Sequence, residues 1–297
     1  MRQVLLVVPG LGLTLHSFSL MILLACLGAL YITAWRARRE GLDPDDVYRL
    51  ALWLFPGGII GARLAYIIQH PEAVRQVADL VRIWQGGIVF YGCIAGGLIG
   101  SVICWARRPF PFRPMADAVA PALCVGIAFG RVGCFLNGCC FGAPSQLPWA
   151  VRFPAGTPPW GRHVDAGWIP AGAPTSLPVH PTQIYSALCG LALLGLLWAY
   201  FPRRRRDGEV MALLMVAYPI TRFLVEGLRG DEPTWLAGLT AAQLVSIGLL
   251  ACGLASWALL ARAPVGRHAD RARGVAPPIG IRATRPDRVP DTAFPGR

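Results

Sequence analysis

The chain has 297 residues, of which 55% are hydrophobic and only 15% charged, with a formal net charge of +12. Soluble domains of this size carry about 25% charged residues, so lipid has to be the solvent for much of this apolar surface. The positive charge is all arginine, because the sequence has no lysine, and it clusters between apolar runs. No basic face interleaved with aromatics is present to track a phosphate backbone, which excludes a nucleic-acid binder.

The N-terminus has one arginine, a short apolar stretch and no A-x-A site, so the first long span is expected to insert uncleaved. Runs long enough to span a bilayer occupy roughly 18–35, 47–68, 86–106, 115–132, 182–201, 209–228 and 236–261. The fourth run contains Asp117 and Pro121 and is the least regular. Arginine density alternates between successive loops. Arg36, Arg38, Arg39 and Arg49 follow the first run, Arg107, Arg108 and Arg113 the third, and Arg203 to Arg206 the fifth. The loops with Arg75 and Arg82, with Arg152 and Arg162, and with Arg229 are poor. The positive-inside rule then places the C-terminus in the cytoplasm and the N-terminus outside.

The outward segment 143–180 is rich in proline, glycine and tryptophan and reads as a compact cap. The segment 262–297 is rich in arginine and proline, is expected to lack fixed structure, and is suited to touch anionic lipid heads. Gly57 and Gly61, and Gly92, Gly96 and Gly100, recur every fourth residue and predict close helix contact.

Charged groups within apolar runs are costly, at about 2.5–3.5 kcal/mol for an arginine at mid-bilayer, and are usually functional. Tyr218, Arg222, Glu226 and Arg229 are spaced by 4, 4 and 3 and share one narrow helical stripe. Two readings stand: an ion-pair network within the membrane, or a polar site whose surplus positive charge takes an anionic partner. The segment Gly130 to Gly142, GRVGCFLNGCCFG, sets Arg131 among glycines at the outer end of a span. Arg131, Arg222 and Arg229 together would suit a phosphate, because a guanidinium donates two parallel hydrogen bonds. His180-Pro181-Thr182-Gln183-Ile184-Tyr185 opens the fifth span, and His180 is read as an anchor of the outer loop or a proton shuttle. Among the nine cysteines, Cys134, Cys139 and Cys140 are crowded, and a disulfide between Cys134 and Cys139 would staple the loop. A metal site there would need more ligands than the neighbouring sequence offers. No cofactor is expected.

Taken together and in order, these segments resemble the prolipoprotein diacylglyceryl transferase family of bacterial inner membranes. GRVGCFLNGCCFG at 130–142 resembles the family signature, HPTQIY at 180–185 and YPITRFLVEGLRGDE at 218–232 resemble two further motifs, and IIGARLAY at 59–66 and WQGGIVFYGCIAGG at 84–97 are similar to family segments. The resemblance implies an all-α enzyme of about seven transmembrane helices over 1–261. Such an enzyme moves the diacylglyceryl group of phosphatidylglycerol to the lipobox cysteine of a preprolipoprotein. It implies Arg131, Tyr218, Gly133, Asn137 and Gly142 at the substrate, with Arg222, Glu226, Arg229, His180 and Tyr91 in the catalytic set. Tyr91 stands where better-known members have a histidine, Cys134 and Cys139 where they have asparagine and glutamate, and Phe18 where a tyrosine is usual. A phenol has an ordinary pKa of about 10, so Tyr91 suits hydrogen-bond donation better than proton abstraction. The rival functions are a related transferase with another acceptor, and a lipid-binding or transport protein, for which the inverted repeats common in transporters are missing.

Overall fold

The computed structural model describes residues 4–8, 13–73, 76, 87 and 89–272. Seven long helices correspond to the seven apolar runs: α1 (Ser17–Arg39), α2 (Pro44–Gln69), α3 (Phe90–Arg107), α4 (Phe112–Asn137), α6 (Thr182–Tyr200), α7 (Glu209–Glu226) and α8 (Ala241–Arg262). A short α5 (Pro158–Asp165) lies within the cap, and α9 (His268–Ala272) follows α8. Two ribbons, β1 (Val4–Val8) with β2 (Leu13–His16) and β3 (Thr234–Leu236) with β4 (Leu239–Thr240), are the only strands among the described residues. The fold is thus the all-α, polytopic membrane architecture the composition implies.

Five of the helices are long and apolar enough to cross a membrane. α3 is slightly short, and α7 carries Glu209, Arg222 and Glu226. Large apolar side chains on the outer faces, such as Leu64, Ile68, Leu98, Val102 and Leu259, are exposed, as a lipid-facing surface requires. The segment carrying Arg75, Arg82 and Trp84 lies outside the described residues, Gln76 and Gly87 excepted.

Helix boundaries follow local chemistry. Asp43 caps α2 by accepting from the Asp45 N–H at 2.9 Å, with Pro44 at the first helical position. Thr240 and Gln243 form a reciprocal capping box on α8. α4 ends at Gly138, whose φ of 83° lets its N–H turn back onto the Cys134 carbonyl at 2.9 Å. The start of α7 has no cap of its own, and a distant residue supplies one. Asp117 of α4 accepts from the N–H groups of Gly208 (2.7 Å), Val210 (2.9 Å) and Met211 (3.0 Å). That cap accounts for a fully buried carboxylate in an apolar helix.

α1 packs on α4, α4 on α6, α7 on α8, and α2 on α3. The last pair is a glycine contact. A Cβ on Gly61 would come within 2.7 Å of the Gly96 Cα, and one on Gly57 within 2.7 Å of the Gly96 carbonyl oxygen, so the backbones touch. Small residues drive the association because lipid gives helices no hydrophobic reason to pair.

At the arginine-rich end, Arg204 is buried and pairs with Glu40, with Asp117 at 3.3 Å and with Asp207 at 3.7 Å. Arg36 stacks over Trp198 and Phe201 beside it. Just past α8 the chain meets this cluster, with α9 among residues 263–272. Arg206 donates to the Ala263 carbonyl at 2.8 Å, and the His268 N–H donates to Asp207 at 2.7 Å. Residues 273–297 lie outside the described residues.

At the opposite end, the segment 143–180 carries α5 and pairs its own backbone at Pro144–Val179, Val151–Val179 and Pro154–Thr175. Phe141, Phe153 and Val179 form a small core with Phe135 and Val151 against it. Trp149 donates to the Tyr185 hydroxyl at 2.6 Å, which ties the cap to α6.

Candidate active site at the cap end of the bundle

Three sequence motifs distant along the chain meet in one backbone ladder. The Gly142 N–H donates to the His180 carbonyl at 3.1 Å, and the His180 N–H returns to the Ala143 carbonyl at 3.1 Å. The Ala143 N–H donates to the Leu228 carbonyl at 2.9 Å, and Gly142 also bridges Arg229. A Cβ on Gly142 would lie 2.5 Å from the His180 Cβ and 3.0 Å from the Leu228 carbonyl. Only glycine fits between those two segments. Gly142 is therefore the residue that brings the α4 loop, the start of α6 and the end of α7 together.

Further bonds lock the loop to α6. Thr182 donates from Oγ1 to the Cys140 carbonyl at 2.8 Å, and Gln183 donates from Nε2 to the Cys139 carbonyl at 2.8 Å. Both side chains are buried. Gly133 packs its backbone on Phe18 and Met21 of α1, seating the last turns of α4. Asn137 is the last residue of that helix, next to the left-handed Gly138 that ends it.

Glu226 is the centre of the charged groups. It is 2% exposed, lies 2.5 Å from Arg222 Nη1 and 3.3 Å from Arg229 Nη1, and accepts from the Thr240 hydroxyl at 3.2 Å. Arg229 also holds Asp231 at 2.8 and 2.9 Å and Glu232 at 2.9 Å. Burial opposes the Arg229 charge, and the Asp231 carboxylate more than offsets it, so the guanidinium stays protonated above its ordinary range. The surplus charge read from two arginines and one glutamate is corrected by these neighbours: Arg229 is neutralised by carboxylates just past the helix end.

Arg131 has no carboxylate partner among the described residues. It lies close enough to repel Arg222 and to act on the Cys140 thiol. Arg222 shares a single buried glutamate with Arg229. With Arg229 turned to Asp231 and Glu232, Glu226 serves Arg222, and the positive charge without a carboxylate among the described residues sits on Arg131. Tyr218 is half-buried one turn below Arg222, within its electrostatic reach.

His180 has its main chain in the ladder and its ring 6.2 Å from that of Tyr185. Its Nδ1, like the Oε1 of Gln183, is buried without a hydrogen-bond partner among the described residues. Such orphans in a native fold call for a water or a ligand. Tyr91 is exposed at the start of α3, a helix that packs along α2 and has no extensive packing with α4 or α7 among the described residues. Cys134, Cys139 and Cys140 are all free thiols, so the disulfide expected between Cys134 and Cys139 is not formed. Cys140 joins them instead, at a φ of 61°. Sequence reasoning missed Thr240, Asp231, Thr182 and Gln183 as parts of the site. The motifs YPITRFLVEGLRGDE and HPTQIY contain three of the four, but only the fold shows what each one touches.

The model of the family described as "Prolipoprotein diacylglyceryl transferase" matches residues 6–259. The chain is 31% identical to the phosphatidylglycerol–prolipoprotein diacylglyceryl transferase of Clostridium tetani, covering 82% of this chain and 92% of that protein. It is 33% identical to the second such protein of Clostridium perfringens, over 82% of this chain and 90% of the relative. It is 35% identical to the one from Thermosynechococcus vestitus, over 83% and 88%. A match across nearly the whole helical bundle, with every motif of the site inside it, places this chain in the prolipoprotein diacylglyceryl transferase family.

Proposed function

We propose that the protein transfers the diacylglyceryl group of phosphatidylglycerol to the cysteine thiol of a prolipoprotein lipobox peptide. The observation that carries this reading is the pair of neighbouring guanidinium groups Arg131 and Arg222, the first without a carboxylate partner among the described residues and the second held by the buried Glu226, at the cap end of a lipid-embedded bundle. An anionic phospholipid is the ligand such a pair suits. In the reaction the acceptor sulfur bonds to the glyceryl carbon, the bond from that carbon to the phosphate oxygen breaks, and glycerol phosphate leaves with the electron pair. The thiol proton is released. Negative charge grows on the departing phosphate, and donors already fixed in a dry site stabilise it without reorganising. Arg131 binds the phosphate and Arg222 follows the charge as it develops. Glu226, Arg229 and Thr240 hold Arg222 in place. Tyr91 orients substrate through its hydroxyl, and His180 anchors the loop with its ring toward Tyr185.

The test is direct. The purified protein is incubated with phosphatidylglycerol and a lipobox peptide, and the peptide mass is read. A diacylglyceryl adduct with stoichiometric glycerol phosphate is expected. Glycerol phosphate without a modified peptide points to another acceptor, and no lipid turnover points to a lipid-binding protein; either result overturns the proposal.

The same reading places the protein in the bacterial inner membrane with the site facing outward and the C-terminus in the cytoplasm, supported by the arginine asymmetry of the loops. A reporter fused after Arg262 should read as cytoplasmic and one inserted at Gly167 as external. The opposite pair of signals inverts the site.

A further inference from the structure

The three thiols at the end of α4 have no part in that chemistry. The Sγ atoms of Cys134, Cys139 and Cys140 all lie within 4.8 Å of one another, and the Cys139 thiol donates to the Cys134 carbonyl at 3.8 Å. Cys134 is on the last turn of α4, and Cys139 and Cys140 follow the left-handed Gly138. The positive φ of Cys140 is uncommon for a residue with a Cβ. Thr182 and Gln183 hold the carbonyls of the same two cysteines. The loop is thus fixed from both sides in a shape that gathers three sulfurs. A disulfide would use two of them and leave the third unpaired.

We propose that Cys134, Cys139 and Cys140 form a three-thiolate binding site for a thiophilic divalent cation of the zinc class. Zinc–sulfur bonds of about 2.3 Å set tetrahedral sulfurs about 3.8 Å apart, so the cluster closes onto an ion with a contraction of less than about 1 Å. The donor set is entirely soft, which selects against magnesium and calcium. Binding displaces three thiol protons and leaves a complex with net negative charge. Arg131 and Arg229, which already act on Cys140, supply the compensating positive charge. Three protein ligands leave a fourth position for water or a substrate atom. The proposal stands independently of the acceptor chemistry, because it concerns the loop rather than the lipid.

The measurement is metal content. The full chain is purified in detergent under reducing conditions, dialysed against Zn²⁺ alone, and assayed by elemental mass spectrometry. About one zinc per chain is expected, with loss of most of it in Cys134→Ser, Cys139→Ser or Cys140→Ser and retention in Cys189→Ser. A parallel readout needs no variant. In the zinc-loaded wild-type protein the three cysteines should resist alkylation until a chelator is added, as peptide mapping reports. No zinc above the level of the triple serine variant, alkylation indifferent to chelator, or a disulfide joining any two of the three in protein isolated without reductant overturns the proposal.

Discussion

Replacing Arg131 with alanine is expected to lower turnover by about 10²–10³-fold while leaving the melting temperature of the detergent-solubilised protein near that of wild type. The two halves of that expectation come from one observation. Arg131 has no carboxylate partner among the described residues, so removing it strands no buried charge, and it also relieves repulsion with Arg222. Its role is toward a ligand rather than toward the fold. Lysine at 131 should recover little activity, because a compact ammonium cannot reproduce a planar two-pronged donor. Arg222→Ala should be as inactive but less stable, since Arg222 is one of the groups that neutralise Glu226. Both are measured with the peptide assay and a thermal melt on the same preparations. Near-normal turnover in Arg131→Ala would remove the phosphate assignment, and a large fall in its melting temperature would show the arginine to be structural.

The bundle was legible in the sequence because lipid imposes a single strong rule: long apolar runs become helices. Each of the seven runs holds one long helix, and the glycine rows of α2 and α3 meet as their spacing implied. Asp117 shows where that rule stops. It looked like a flaw in the fourth run, and its purpose became visible only when α7 brought three orphan N–H groups to it from more than 90 residues away. The arginine stripe was readable as a site, but its charge balance was not. Spacing showed Tyr218, Arg222, Glu226 and Arg229 on one face, whereas Arg229 lies beyond the helix end and turns to Asp231 and Glu232. Thr240 belongs to the next helix altogether. Gly142 was marked as a signature glycine, yet the reason for it is the pair of chains that pass on either side. Local periodicity carries no information about such contacts.

Glu226→Ala is expected to be the most damaging single change at the site, destabilising the protein by about 3–5 kcal/mol as well as abolishing transfer. The carboxylate joins α7 to α8 through Thr240 and separates the charges of two arginines. Without it, Arg229 keeps Asp231 and Glu232, but Arg222 is left buried against Arg131 with no counter-charge. An isolated buried charge costs far more than the pair contributes, because the solvation surrendered on burial is no longer compensated. Thr240→Ala removes one hydrogen bond to the same carboxylate and the α8 cap, a loss of about 0.5–2 kcal/mol, and should be distinctly milder. The decisive comparison is the double variant. If the damage in Glu226→Ala comes from the stranded guanidinium, then Arg222→Ala combined with Glu226→Ala should melt at a higher temperature than Glu226→Ala alone, although it lacks one more side chain. A double variant that is less stable than either single one would mean that both residues contribute through packing, and that the ion pair is not what holds Arg222 in place for the phosphate.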